Sequence, residues 1–407
     1  MKKIITIMLS LFVCTAYADD DYNISHTSKG LTFESADGKW STSLAWRAQL
    51  RYTDGYIGDP RQLSDFEDPN RDTFEARRLR MKIGGHGYEP WLKYYFEIDL
   101  EPTRDVEDES EKSSGRVIDW RIDVAKYEPI QLRVGQWKIE YTRERVDSSG
   151  KQEFVERSIV NRQFTIDRQV GAQVKGRLFP GTYADMRYWA GMYTGEGRGV
   201  RNDDDGMLYS GRLQWNFLGR DLPFSQTDVE RTEKPTASLA FAAAKNNGRC
   251  TRWSSSGCGN LAMYDKPQNA YLKQYKIEQM AQEFAFRWQG LSIQEEYHWK
   301  TVKDRLNDTE NDMTGMYAQV GYFPGEIVSF VPDPLQIAFR YAFVKEPNKY
   351  DVALDNKRKE YTAAVNWFIS GHNNKVTVDY SHLTLDEKFF NRNVSDDRFR
   401  VQWDITF

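Results

Sequence analysis

From residue 40 onward the chain alternates apolar and polar side chains again and again, as a sheet with one greasy and one wet face must. Between Trp40 and Tyr52, Leu44, Trp46, Ala48, Leu50 and Tyr52 fall on one side and Arg47, Gln49 and Arg51 on the other. Met207 to Phe217 repeats the pattern, with Tyr209, Leu213, Trp215 and Phe217 set against Ser210, Arg212, Gln214 and Asn216. Leu335 to Phe343 does so again. Applied throughout, the test predicts sixteen strands, near residues 40–52, 76–86, 91–100, 117–127, 131–138, 168–178, 184–193, 207–217, 236–244, 282–288, 291–300, 314–322, 335–344, 359–368, 375–384 and 398–407. These lengths suit tilted membrane strands of ~9 to 11 residues, and an even count returns both chain ends to one side.

The connections alternate short and long, as periplasmic turns and external loops of an outer-membrane barrel do. Short links are expected at residues 85–90, 128–130, 179–183, 289–290 and 370–374. Long ones are expected around 53–75, 101–116, 139–167, 194–206, 245–281, 301–313, 345–358 and 385–397. Two links on the short side, 218–235 and 323–334, are longer than the rule requires. The last strand, RVQWDITF, alternates up to a terminal Phe407 and so resembles the closing strand of outer-membrane barrels, with an edge strand of a soluble protein as the alternative. On the predicted lipid face one acid stands out: Glu295, between Ile293 and Tyr297, implies a bulge, a contact between protomers or a shifted register.

The first eighteen residues read as a secretory signal, with Lys2 and Lys3, an apolar run from Ile4 to Val13 and Ala16-Tyr17-Ala18 for cleavage. The residues before Cys14 lack the small side chains of a lipoprotein site. This divides the chain into a signal peptide (1–18), an N-terminal periplasmic segment (19–39) and a transmembrane barrel (40–407). No stretch approaches the ~20 apolar residues of a membrane helix. The mean hydropathy of −0.72 would by itself suit a soluble protein. An aromatic content of 14%, with 23 Tyr and 12 Trp, shifts the balance toward a barrel, in which only alternate residues meet lipid. Cys250 and Cys258, separated by a Gly- and Ser-rich stretch in an exported chain, are expected to pair, with two independent thiols as the alternative.

Charge then gives the barrel an expected task. On the inward face, with the fifth strand omitted because its parity is ambiguous, fifteen bases outnumber ten acids, although the whole chain carries a net charge of −4. The bases are Arg47, Arg51, Arg78, Arg80, Lys82, Lys93, Arg121, Lys175, Arg177, Arg187, Arg212, Arg287, Lys300, Arg340 and Arg400. The acids are Glu97, Asp99, Asp119, Asp123, Asp185, Glu283, Glu296, Glu360, Asp379 and Asp404. A basic wall around a narrow water column concentrates anions and repels cations. The guanidinium fork suits oxyanions in particular. The link from Ile139 to Asp167, rich in both signs, is the candidate for a loop folded into the pore; Arg143, Arg145 and Lys151 lie on it. The bland alternative is that the wall bases pair with neighbouring acids, as in any porin.

Several segments together resemble the phosphate-selective porin O/P family of outer-membrane channels. They are WRAQLRY, the run Arg77, Arg78, Arg80, Lys82, Gly84, Gly85, the strand WLKYYFEIDL and, most specifically, VGQWKIEYTRERVDSSGKQEFVERS. The resemblance implies an all-β, sixteen-stranded antiparallel barrel, a homotrimer set in outer-membrane lipid and lipopolysaccharide, and phosphate or other small anions as cargo. It also implies ladder roles for Arg47, Arg77 and Arg78, an acidic partner in Asp119 and a constriction-loop cation at Arg145. At that last position the family's Lys after Leu-Glu is replaced by Arg143-Glu144-Arg145. Strand parity places Arg77 near the outward side, against a ladder role.

Catalysis finds little support. None of His26, His86, His298, His372 and His382 lies two residues from an inward-facing Ser on one strand, and His298 with Glu296 gives only two ligands for a metal. No enzyme activity, cofactor, metal or nucleic-acid partner is therefore expected. The remaining rivals to an anion-selective pore are a weakly selective diffusion porin and a non-conducting structural or adhesive barrel.

Overall fold

The computed structural model describes residues 22–27, 29–67, 72–100, 115–200, 206–254 and 257–407; the expected signal peptide lies outside them. A short hairpin, β1 (Tyr22–Thr27) and β2 (Gly30–Ser35), precedes the first long strand, β3 (Ser41–Asp54). Then follow β4 (Asp72–Gly87), β5 (Glu89–Asp99), β6 (Arg116–Tyr127), β7 (Ile130–Lys138), β8 (Arg168–Leu178), β9 (Met186–Tyr193), β10 (Leu208–Trp215) and β11 (Thr236–Gly248). A small hairpin, β12 (Arg252–Ser254) and β13 (Gly257–Gly259), interrupts the series. It resumes with β14 (Tyr275–Trp288), β15 (Leu291–Asp304), β16 (Thr309–Tyr322), β17 (Leu335–Pro347), β18 (Asp355–Ser370), β19 (Asn374–Glu387) and β20 (Arg392–Thr406).

Each long strand pairs antiparallel with its sequence neighbours, β9 with β10 and β11 with β14 included. The cylinder closes where β20 meets β3, from Thr406 opposite Arg47 to Phe399 opposite Asp54. Sixteen strands thus leave no free edge, the condition for spanning lipid with sheet. The N-terminal hairpin uses the part of β3 that β20 does not reach, with Leu31 opposite Leu44. Exposed aromatics sit near both ends of the outer wall, Trp215, Trp288, Trp367 and Trp403 toward the turns and Tyr52, Trp299, Tyr361 and Tyr380 toward the loops.

Three expected long loops are shorter than the alternation suggested. The strands flanking 301–313, 345–358 and 385–397 continue past the apolar band, leaving links of 305–308, 348–354 and 388–391. Above the bilayer the outer face is wet, so alternation fades although pairing continues. The register around Glu295 is regular, with Phe284 on one side and Ala318 on the other, so no bulge accounts for it. Its carboxylate accepts a hydrogen bond from Gln282 Nε2 at 3.1 Å, and both side chains lie on the outer wall.

Inside, one half of the cylinder is filled. The link 139–167 descends into the barrel with two short helices, α2 (Arg143–Val146) and α3 (Ile159–Phe164), the first helix among the described residues being α1 (Leu63–Phe66). Its Ile139, Tyr141, Ile159, Val160 and Phe164 pack with inward Ala242, Ala281 and Ala342 of the wall. Small wall residues on β11 to β17 make the room this loop occupies.

Candidate functional site

The loop hangs on the wall by its backbone. Amides of Arg143, Glu144, Val155 and Ile159 donate to Glu283 (3.2 Å), Glu296 (2.6 Å), Asp379 (2.9 Å) and Glu360 (2.9 Å). Four inward acids therefore serve as anchors, because a buried N–H needs an acceptor and a carboxylate is a strong one. Three anchors carry their own counterion: Arg212 on Glu283 (2.7 Å), Arg340 on Glu360 and Arg400 on Asp379 (2.7 Å). Arg212 is fully buried, and Arg143 is buried too, bonded through Nη1 to Pro223 O at 2.6 Å. Neither lines either of the lumen's two basic cavities, in contrast to the path expected for them from the sequence. Arg187 is turned to Asp221 (2.6 Å) near the periplasmic end.

The bases that remain around water belong mainly to β3 to β8, to β20 and to the loop. Register sets Arg47 opposite Arg80 and Gln49 opposite Arg78, giving neighbouring inward columns on β3 and β4. Between Gln49 and Leu50 the register shifts by one residue, so that Arg78 faces Gln49, Ala76 faces Leu50 and Arg77 is the extra residue of a bulge. The bulge corrects the parity reading: Arg77 and Arg78 both turn inward, reaching Glu156 at 3.2 and 3.4 Å. Arg51 joins the same carboxylate at 2.8 Å. Three guanidiniums on one acid hold the Glu156 carboxyl well below the usual carboxylate range although it is partly withdrawn from water.

Other wall acids are taken as well. Arg80 binds Glu97 (3.0 Å) and Asp99 (3.4 Å); Arg168 grips Asp119 through two bonds of 2.9 Å; Arg47 meets Asp404 at 3.3 Å. Arg145 pairs with Asp167. Where the loop crosses the wall, Arg47 reaches Ser148 and Ser149, and a Cβ on Gly150 would stand 2.7 Å from the Arg47 guanidinium carbon. A larger residue at that crossing would displace the Arg47 guanidinium.

Two water-accessible cavities lie on either side of it. On the side of the short turns, a space of about 630 Å3 is lined by Lys29, Arg47, Lys82, Lys93, Arg121, Arg133, Lys151 and Lys175 against one acid, Asp123. That acid is already bound by Arg133 (2.6 Å) and Lys175 (2.7 Å), while Arg121 stacks over Tyr95. On the loop side, a space of about 160 Å3 is lined by Arg77, Arg78, Arg145, Arg157, Arg162, Arg398 and Arg400 against Asp59 and Glu156.

Sequence reasoning missed Arg133, whose strand parity was ambiguous: pairing of β6 with β7 shifts between Val124 and Tyr127. It also missed Arg157 and Arg162, which no strand period can place, and Arg398, at the end of a predicted strand. Cys250 and Cys258 are joined, with Cα atoms 5.5 Å apart, and staple the β12–β13 hairpin. Its Trp253 is buried and donates to Gly195 O at 2.7 Å. His298 meets Glu296 at 3.1 Å as a wall hydrogen bond. Among the described residues the one group of three metal-type side chains is Glu196 with these two cysteines, whose sulfurs are spent on each other.

The shape is shared with solved outer-membrane proteins. Salmonella typhi OmpF in complex with daunomycin aligns over 92% of this chain and 100% of its own, at 14% identity and a TM-score of 0.58. The outer membrane channel DcaP of Acinetobacter baumannii aligns over 92% and 99%, at 12% identity and 0.55. An anion-selective porin from Comamonas acidovorans aligns over 90% and 100%, at 11% identity and 0.53. At such identities these likenesses speak for the fold alone. No curated protein matches the sequence. The model of the phosphate-selective porin O and P family matches residues 55–407, nearly the whole barrel, and the chain belongs to that family of outer-membrane porin channels.

Proposed function

We propose that the chain conducts small oxyanions, phosphate among them, passively across the outer membrane through the basic half of its lumen. The observation that carries this reading is how charge is compensated. Wall acids on β14, β15, β18 and β19 are consumed in anchoring the loop. The two cavities meanwhile hold eight bases to one acid and seven to two. An uncompensated base about 7 Å from a permeant ion in water contributes roughly 0.6 kcal/mol, close to threefold in local anion concentration. Several in series favour anions over cations without one tight trap that would hold the ion. Arg47, Arg77, Arg78, Lys82, Arg121, Arg145 and Lys151 form the path in this reading, with Arg51 and Arg80 behind it holding Glu156 and Glu97 and Asp119 fixing Arg168 beside it.

The same reading has residues 1–18 removed on export, residues 19–39 in the periplasm and the barrel assembled as a homotrimer in lipid and lipopolysaccharide. Channel proteins do no covalent chemistry, so no enzyme role is assigned. The deciding experiment is reversal potential in a KCl gradient across a planar bilayer, followed by phosphate titration of the chloride current. Anion preference with phosphate block is expected; equal permeability of potassium and chloride would leave only a general pore.

A further inference from the structure

The link between β10 and β11, residues 216–235, does not turn beneath the barrel. It enters it. Pro223 O receives Arg143, Gln226 N donates to Asp147 Oδ2 (3.1 Å), and Gln226 Oε1 accepts from Glu153 N (2.9 Å). Thr227 Oγ1 then lies 2.8 Å from His372 Nε2, at the β18–β19 turn. The segment therefore spans the lumen from one wall to another, under the constriction loop. Its return is pinned by Asp228, which accepts from Gly290 N (2.8 Å), and by Arg231, which binds Glu326 (2.5 Å) and Asp333 O (2.8 Å). Gln226, Thr227 and Asp228 are buried, which is unusual for a connecting link and requires the partners just named.

What lies behind this beam differs from what lies in front. At the turn end of the covered wall, inward Gln214, Ser238, Ser292, Gln336 and Asn366 are neutral and buried, with Arg287 and Lys375 as charged exceptions, and farther in Arg212 and Arg340 are matched by Glu283 and Glu360. Glu153, whose amide the beam holds, caps Ser292, Gln319 and Gln336 through its carboxylate. The uncovered side is the basic cavity, which His372 also borders.

We infer that the 216–235 link is a specificity element: it seals the charge-balanced half of the lumen at the periplasmic end and so forces permeant ions past the basic wall. The proposal rests on the anion-channel reading above. Its positioning residues are Gln226 and Thr227, which touch no permeant ion and act by holding the seal shut.

The test replaces Leu222–Val229 by Gly-Gly and, separately, makes the Gln226→Ala/Thr227→Ala pair, with folding judged by heat-modifiable migration of the purified barrel. The shortened link should raise single-channel conductance about twofold or more while chloride preference over potassium falls several-fold, because the bases along the added path are largely matched by acids. The double substitution should move both in the same direction by less. A Ser238→Cys reporter should react with a water-soluble maleimide only when the link is shortened. A folded shortened variant with unchanged conductance and reversal potential overturns the proposal. Failure of both variants to fold also overturns it, since the link would then be a folding element. If the unmodified protein shows no ion preference, the anion-channel reading fails alone, and conductance together with maleimide labelling of the Ser238→Cys reporter still decides whether the link seals.

Discussion

Glu156→Gln isolates the acid on which the arginine cluster turns. The carboxylate sits 2.8 Å from Arg51, 3.2 Å from Arg77 and 3.4 Å from Arg78, and it is one of two acids in the loop-side cavity. Removing its charge should not unfold the barrel. Arg51, the most buried of the three, keeps Gln402 Oε1 at 2.8 and 3.0 Å and Val155 O at 3.3 Å, and Arg78 keeps Gln49 Oε1 at 2.9 Å. For an anion about 6 Å away, losing one negative charge is worth roughly 0.7 kcal/mol in bulk water and roughly 3 kcal/mol at an effective dielectric of 20. The cavity is narrow and its walls are protein, so the first figure is a lower bound. Half-block of chloride current by phosphate should therefore need at least about threefold less phosphate in the variant, with the gap closing as salt screens the cluster. Single-channel recording across a phosphate titration at two ionic strengths measures this. A weaker block, or one that does not change, would show that Arg77 and Arg78 do not face the permeant ion.

Arg78→Glu reverses the charge at the same level and should lower anion preference in reversal-potential measurements by about tenfold, and an unaltered preference removes Arg78 from the path. Burial pushes the loop carboxyl of Glu153 up to about 7, above the 4.5 of an ordinary glutamate. With the folded value raised, stability is intact below about 4.5 and is lost as pH climbs to about 7, by roughly 3 kcal/mol. Chemical unfolding at pH 5 and pH 8 should show Glu153→Gln narrowing that difference, and parallel curves for variant and wild type would refute the assignment. On the outer wall, Glu295→Leu should raise the unfolding midpoint, since a carboxylate facing acyl chains is costly. A lowered midpoint, or loss of assembly, would instead mean that another protein surface covers Glu295.

Most of the cylinder could be read from the chain because lipid imposes a rule on every second residue. Where that rule applies, strands such as β10 and β17 fall close to their predicted limits. Where the outer wall rises above the acyl chains, as along Lys303 to Asp312, the rule lapses and pairing alone sets the strand ends. The bulge at Arg77 was hidden for a related reason: two consecutive arginines look alike whether one or both turn inward, and only pairing with Gln49 and Leu50 decides. The excess length of residues 218–235 was visible in the sequence, but not that it reaches His372, 145 positions away from Thr227.

The inner charge was the least legible part. Parity names the face a residue occupies but not its partner, so Glu283 and Glu97 count equally as inward acids. In the structure, Glu283 accepts a loop amide and binds Arg212, whereas Glu97 steadies Arg80, which stands opposite the cavity-lining Arg47. A usable clue was the run of inward alanines, Ala240, Ala242, Ala244, Ala281, Ala285, Ala338 and Ala342, all on one arc of the wall. Small side chains on the inside of a barrel leave a void that water or chain must fill, and the distant link 139–167 carries Ile159, Val160 and Phe164 to fill it. Once that arc is assigned to packing, its acids must serve buried backbone, because burying an amide without an acceptor is costly. The opposite arc, from β3 to β8, is left with the water. Selectivity then depends less on the total charge of the wall than on which half of it the loop covers.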